Sequence, residues 1–195
     1  MLSQLRPAIV STVVLTLLLG VVYPLAVTGV AQLAMPTQAN GALVRDAHGR
    51  LVGSALIGQG FSRPEYLHPR PSAAGKGYDA AGSSGSNLGP LNPDLIAREK
   101  TEAASVRAAT GQDRVPADAV TASASGLDPD ISPQYALLQA TRVAEARGAS
   151  RDEVVRLIGE HVEGPALGFL GQPRVNVLKV NLALDARLAK RKPGT

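Results

Sequence analysis

Val120-Thr121-Ala122-Ser123-Ala124-Ser125-Gly126-Leu127-Asp128-Pro129 is the stretch of this chain whose residue types come closest to a chemical site. The hydroxyls of Ser123 and Ser125, with Gly126, can hydrogen-bond an oxyanion or a phosphate. Ser and Asp in such a run also form local turns that close their own backbone, so both readings stand at this point. A nucleophilic triad would need Ser123 or Ser125 to meet Asp128 and His161 in space, and no G-x-S-x-G elbow supports it. Gly75-Lys76 lacks the upstream glycine and the following hydroxyl of a P-loop, so hydrolysis of ATP by this chain itself is not expected. His48, His68 and His161 lie in different elements without H-E-x-x-H spacing, and no metal site is expected.

A second set of specific side chains, Arg63, Tyr66, Arg70, Tyr78, Asp79 and Asn87, lies in a run dominated by Gly, Pro, Ser and Asn. Composition alone makes residues 68–93 a flexible linker. Long loops inside compact domains are uncommon and often functional, which favours a loop ordered by a partner.

The elements that must position these groups follow from local signals. Residues 42–45 and 50–57 read as a β-hairpin around Asp46-Ala47-His48-Gly49, with Gly49 available for a left-handed turn position. Asn92 caps a helix with Pro93 at its first position, which Gly111 stops. Ser132-Pro133 opens a second helix running to Gly148, and Ser150 with Glu153 makes a capping box for a third. Residues 175–180 read as a strand on β-branched content, and Asn181 as the cap of a C-terminal helix ending in Lys190-Arg191-Lys192. The mixture predicts an α+β (mixed α/β) soluble domain of few strands.

Ahead of that domain, residues 8–34 contain no Asp, Glu, Lys or Arg. As a helix this run reaches ~40 Å, more than the ~30 Å hydrocarbon core of a bilayer. The single charge of Arg6 and the length of the run favour a retained anchor over a cleaved signal, although Gly29-Val30-Ala31 would pass as a cleavage site. Pro24 predicts a kink near Tyr23, and Gly20 and Gly29 offer backbone for close packing against another helix in lipid. The expected organisation is a tail over 1–7, a transmembrane helix over 8–34 and an extracytoplasmic domain over 35–195. A short tail before a first span predicts a cytoplasmic N-terminus; flanking charge does not decide the matter. Cysteine is absent, which leaves no disulfide framework, and the formal charge of +4 is spread along the chain with 3% aromatic residues, which argues against nucleic-acid binding.

Several strings, taken together and in order, resemble the C chain of the Kdp potassium-transporting ATPase. They are Gly53-Ser54-Ala55-Leu56-Ile57-Gly58-Gln59-x-Phe61, Arg70-Pro71-Ser72-Ala73, Tyr78-Asp79-Ala80, Ser86-Asn87-Leu88-Gly89-Pro90-x-Asn92-Pro93, Thr121-x-Ser123-Ala124-Ser125-Gly126-Leu127-Asp128-Pro129-x-Ile131-Ser132-Pro133 and Pro173-Arg174-Val175-Asn176-Val177-Leu178. The resemblance covers nearly the whole chain, anchor included. Departures are Leu67 after Tyr66 and Ser84 in an SGGSN-like run.

The resemblance implies a non-catalytic subunit of an ATP-driven potassium-uptake pump in the bacterial inner membrane. It implies the A chain, the B chain and the F peptide as partners, with ATP reached only through the complex and no cofactor of its own. It also implies an assembly subunit and catalytic chaperone that raises the ATP affinity of the B chain. Ser123, Ser125, Gly126 and Gln139 become candidates for nucleotide or partner contact, and Arg70, Tyr78, Asp79, Ser86 and Asn87 for a partner-binding loop. The reading from another class is a membrane-anchored periplasmic binding or hydrolytic domain acting alone.

Overall fold

A computed structural model describes residues 2–188, so the expected Lys190-Arg191-Lys192 terminus lies outside the described residues. The chain divides into two compact units, Met1–Leu43 and Val44–Thr195.

The first unit is one long apolar helix, Leu5–Ala34, with a mean hydropathy of 2.3 and no burial of its most apolar window. Its 30 residues give ~45 Å at ~1.5 Å per residue, which fits a single pass through a ~30 Å hydrocarbon layer. It starts three residues earlier than the sequence suggests, after a 3-10 turn at Leu2–Gln4. Pro24 is accommodated by a π-helical turn over Leu18–Val22, in which the Tyr23 N–H donates to Leu18 O. The extra residue widens the turn ahead of a ring that would press on the Gly20 carbonyl in a regular helix. Met35, at φ −141°, ends the run, and Pro36–Ala39 adds a short helix.

The second unit is a mixed α and β domain. Its hairpin pairs Leu43–Arg45 with Leu51–Ser54. Asp46 organises the turn: Oδ1 accepts the N–H groups of His48 and Arg50, both at 2.9 Å. Gly49 sits at φ +76°, the left-handed position expected of it. A second, three-stranded antiparallel sheet has Arg174–Asn176 in the middle, with Asp130–Ile131 and Val162–Glu163 on either side.

The helices follow their caps. Pro93–Thr110 starts on the Asn92 side chain and ends at Gly111, φ +66°. Arg151–Glu160 carries the full Ser150/Glu153 capping box. The helix expected from Pro133 to Gly148 is two segments, Pro133–Leu138 and Ala140–Arg147, with Gln139 at the joint. At the C-terminal end the expectation fails in register. The strand stops at Asn176, whose side chain caps the helix Val177–Arg187 by accepting the Lys179 N–H, and Asn181 lies inside that helix. β-Branched content at Val175, Val177 and Val180 described residues that pack well, and packing against the core overrides strand propensity after Asn176.

The core joins these helices to the three-stranded sheet: Val143, Val154, Ile158, Val175, Val180 and Leu184 are fully buried together with Leu67 from the long loop. Each such side chain stabilises the fold by about 1.5–3 kcal/mol relative to exposure.

Candidate functional site

The stretch between Ile57 and Asn92 has almost no regular secondary structure, yet it is held to the domain by specific bonds. Leu67 and His68 pass between two buried carboxamides. Asn181 Oδ1 accepts the Leu67 N–H at 2.8 Å and Asn181 Nδ2 donates to Leu67 O at 3.0 Å. Gln139 Oε1 accepts the His68 N–H at 2.7 Å and Gln139 Nε2 donates to His68 O at 3.0 Å. Each amide side chain thus imitates a neighbouring strand for one residue of the loop, satisfying backbone groups that would otherwise be buried without partners. Different elements position the two amides: Asn181 faces inward between Val180 and Leu184 of Val177–Arg187, and Gln139 stands at the joint of Pro133–Leu138 and Ala140–Arg147.

Arg142, one turn after Gln139, closes the same corner. Its Nη1 donates to Pro64 O at 2.6 Å and Tyr66 O at 3.1 Å and lies 3.3 Å from His68 Nε2; its Nη2 donates to Gln139 Oε1 at 2.6 Å. Burial, and next the Arg142 charge, hold the His68 imidazole below its ordinary pKa. A second guanidinium, Arg147, is buried and donates to Glu65 O, Leu188 O and Asp185 Oδ1 while lying over the Tyr66 ring.

Further along, the loop pairs with the 121–128 stretch. Arg70 Nη1 bonds Asp128 Oδ2 at 2.9 Å and Nη2 lies 3.3 Å from Thr121 Oγ1. Ser72 Oγ donates to Gly126 O at 2.6 Å and accepts the Tyr78 N–H at 2.9 Å, and the Tyr78 hydroxyl donates to Arg70 O. Ser84 N–H donates to Ser125 O at 3.0 Å. Gly126, at φ +68°, has no room for a side chain: a Cβ there would fall 2.6 Å from both Ala74 N and Ser84 O.

These contacts fix where the sequence candidates lie. Ser123 is buried, with Oγ 3.3 Å from Ser125 Oγ, and Ser125 Oγ accepts the Leu127 N–H. The Ser125 hydroxyl therefore closes its own backbone as a local turn does, while the Ser123 hydroxyl lies against it. Gln139 is only 2% exposed and both ends of its amide are engaged. Asp79 accepts the Ala81 N–H, while Asn87 is exposed at φ +52° and Ser86 is half-buried. Asp128 faces Arg70, and His161 Nδ1 lies 2.8 Å from Leu157 O in its own helix, so Ser, His and Asp do not form a relay. Among the described residues no three His, Asp or Glu side chains cluster as a metal centre.

A cleft of about 220 Å³ lies between the Pro93–Thr110 helix and the loop, lined by His68, Arg70, Tyr78, Glu102, Tyr135 and Gln139. Burial pushes the Tyr135 hydroxyl up to about 12 and the Tyr78 hydroxyl higher still, so both phenols stay neutral donors at physiological pH. The arrangement positions a loop: Gln139 and the Tyr78 hydroxyl bond backbone, and Arg70 bonds the Asp128 and Thr121 side chains.

Asn181, Arg142 and Arg147 carry much of this; the two arginines were not singled out from sequence, and Asn181 was read there only as a helix cap. The available signal was Asn181 itself, a polar residue on the apolar face formed by Val177, Val180 and Leu184.

Residues 5–186 match the family model described as KdpC: K+-transporting ATPase, c chain. The chain is 64% identical over 197 residues to the potassium-transporting ATPase KdpC subunit of Caulobacter vibrioides (strain NA1000 / CB15N), covering 100% of both. It is 59% identical to the protein of the same name from Beijerinckia indica, covering 99% of this chain and 98% of that one. It is 52% identical to that from Geobacter sulfurreducens, covering 94% of this chain and 98% of the relative.

Proposed function

The chain belongs to the family of the K+-transporting ATPase c chain, and from that membership we propose that it raises the ATP affinity of a catalytic partner chain without contacting ATP through a site of its own. As a member of this family it is an accessory subunit of a potassium pump, with one N-terminal apolar helix fit for single-pass insertion. In the finer reading, its partners are the potassium-translocating A chain, the ATP-hydrolysing B chain and the small F peptide of a bacterial inner-membrane complex. Its N-terminus is cytoplasmic, its domain periplasmic, and it serves as an assembly subunit and catalytic chaperone.

The observation that carries the indirect mode is the state of Gln139. Its carboxamide gives both donor and acceptor to His68 and receives Arg142 as well, so a nucleotide would have to break the loop's docking to use it. Ser123, Ser125 and Gly126 are similarly bound into the contact with residues 71–84. An effect on ATP then travels as a coupling free energy between sites, typically ~1–3 kcal/mol.

The test is the ATP dependence of the pump assembled with and without this chain. The proposal expects a lower apparent ATP affinity in its absence, and no binding of a fluorescent ATP analogue to the purified chain alone. Saturable binding of the analogue to the isolated parent chain would overturn the indirect mode and establish direct contact instead.

A further inference from the structure

Between Glu163 and Arg174 the chain carries no charge over residues 164–173, and it closes into a small hairpin there. Ala166 and Leu170 exchange both backbone hydrogen bonds at 2.9 Å, and the Gly168 N–H donates to Pro165 O. The tip is therefore shaped in advance. It holds outward three of the more exposed large apolar side chains of the domain: Leu167 is 83% exposed, Phe169 74% and Leu170 53%. Leu167 also sits at φ +55°, a left-handed conformation that glycine or asparagine would adopt far more readily. Among the described residues, none of these three side chains belongs to the core cluster of the domain or packs against it.

We propose that residues 165–170 are a lipid-insertion tip, with Leu167, Phe169 and Leu170 entering the headgroup–acyl boundary of the bilayer that holds the Leu5–Ala34 helix. Three features select lipid. The first is area: three side chains offer a few hundred Å² at most, well below the roughly 1,000 Å² of a specific protein interface, whereas shallow insertion needs only such a patch. The second is reach. Only residues 35–42 separate the helix from the first strand, at most ~29 Å of chain at ~3.6 Å per residue, so a bilayer surface is always near the domain. The third is charge: Glu163, the acidic group at the base of the hairpin, is bonded to Lys179 at 2.7 Å and Arg174 at 3.0 Å, so the base does not present an unscreened carboxylate to anionic headgroups.

The inference rests on the helix being a membrane anchor, and one preparation tests the two separately. The chain contains no tryptophan, so Phe169→Trp places a single indole at the tip. The full-length variant is reconstituted into phosphatidylcholine/phosphatidylglycerol vesicles with or without bromine on the acyl chains. Flotation with the vesicles reports the anchor alone. The tip proposal expects a blue-shifted emission that brominated lipid quenches, and loss of that quenching when Leu167→Asp is added. Leu91→Trp, at a position 89% exposed elsewhere on the domain, should emit as in water and stay unquenched. An indole at 169 that floats with the vesicles but emits as in water, or that shifts only when other pump chains are added, overturns the proposal.

Discussion

Gln139 and His68 are joined by a pair of hydrogen bonds in opposite senses, the amide of one satisfying both backbone groups of the other at 2.7 and 3.0 Å. Asn181 does the same for Leu67, so two neighbouring residues of an irregular loop are each read by a side chain from a different helix. Replacing Asn181 by Leu, or Gln139 by Ala, leaves two backbone groups buried without partners at a cost of about 1–3 kcal/mol per group. Chemical denaturation of the full chain in detergent should show a lowered midpoint for both variants. A midpoint equal to that of the parent would mean that the carboxamides are incidental.

The same bonds predict how the loop exchanges. The amides of Leu67, His68, Tyr78 and Ser84 are bonded within the domain and should exchange slowly in the isolated chain. Asn87, exposed, should exchange quickly alone and slow down on assembly if this part of the loop meets a partner. Uniformly fast exchange across residues 67–91 would return the segment to a linker.

His68 gives the domain a pH dependence of defined sign. Its imidazole is held below the ordinary value of 6.5 by burial and then by Arg142, so the unfolded chain takes up the proton first. The stability contributed by the neutral ring is complete above about 6.5 and declines as pH falls from there through the folded-state value. His68→Gln should flatten the stability–pH profile in that window relative to the parent. Parallel profiles for the two proteins would remove His68 from the account.

Gly20 and Gly29 each have open space where a side chain would be, on a helix that buries nothing in its own unit. Exchanging the apolar run for an unrelated span should leave the chain folded and membrane-bound but lower the recovery of the assembled pump, because a partner helix loses its close approach. Full recovery with the foreign span would show that the soluble domain alone directs assembly.

The side of the membrane occupied by the domain can be read with a single thiol, since the chain has no cysteine. Lys76 is the better site than Ser72: it is exposed, while Ser72 Oγ bonds Gly126 O and the Tyr78 N–H. An impermeant reagent should label Lys76→Cys in cells with a permeabilised outer layer. Labelling that requires lysis would place the domain in the cytoplasm and reopen direct contact with ATP.

Much of this architecture is legible in local sequence because its causes are local. A run without charge over residues 8–34 makes a long apolar helix wherever it is placed, and Asn92-Pro93, Ser150/Glu153 and Gly111 start or stop helices through bonds within one turn. What tertiary structure decided is the fate of groups whose partners are distant in sequence. Asn181 reads as a cap from its neighbours, but Leu67, 114 positions away, offers it two buried backbone groups, and satisfying them places it mid-helix while Asn176 takes the cap. Residues 68–93 read as a linker because Gly, Pro and Ser carry little apolar surface. Residues 68–84 of that run are held instead by hydrogen bonds to the 121–128 turn, to Gln139 and to each other, which composition does not record. Hydrogen bonds between distant segments are satisfied only after the chain has folded, so spacing along the sequence carries no trace of them.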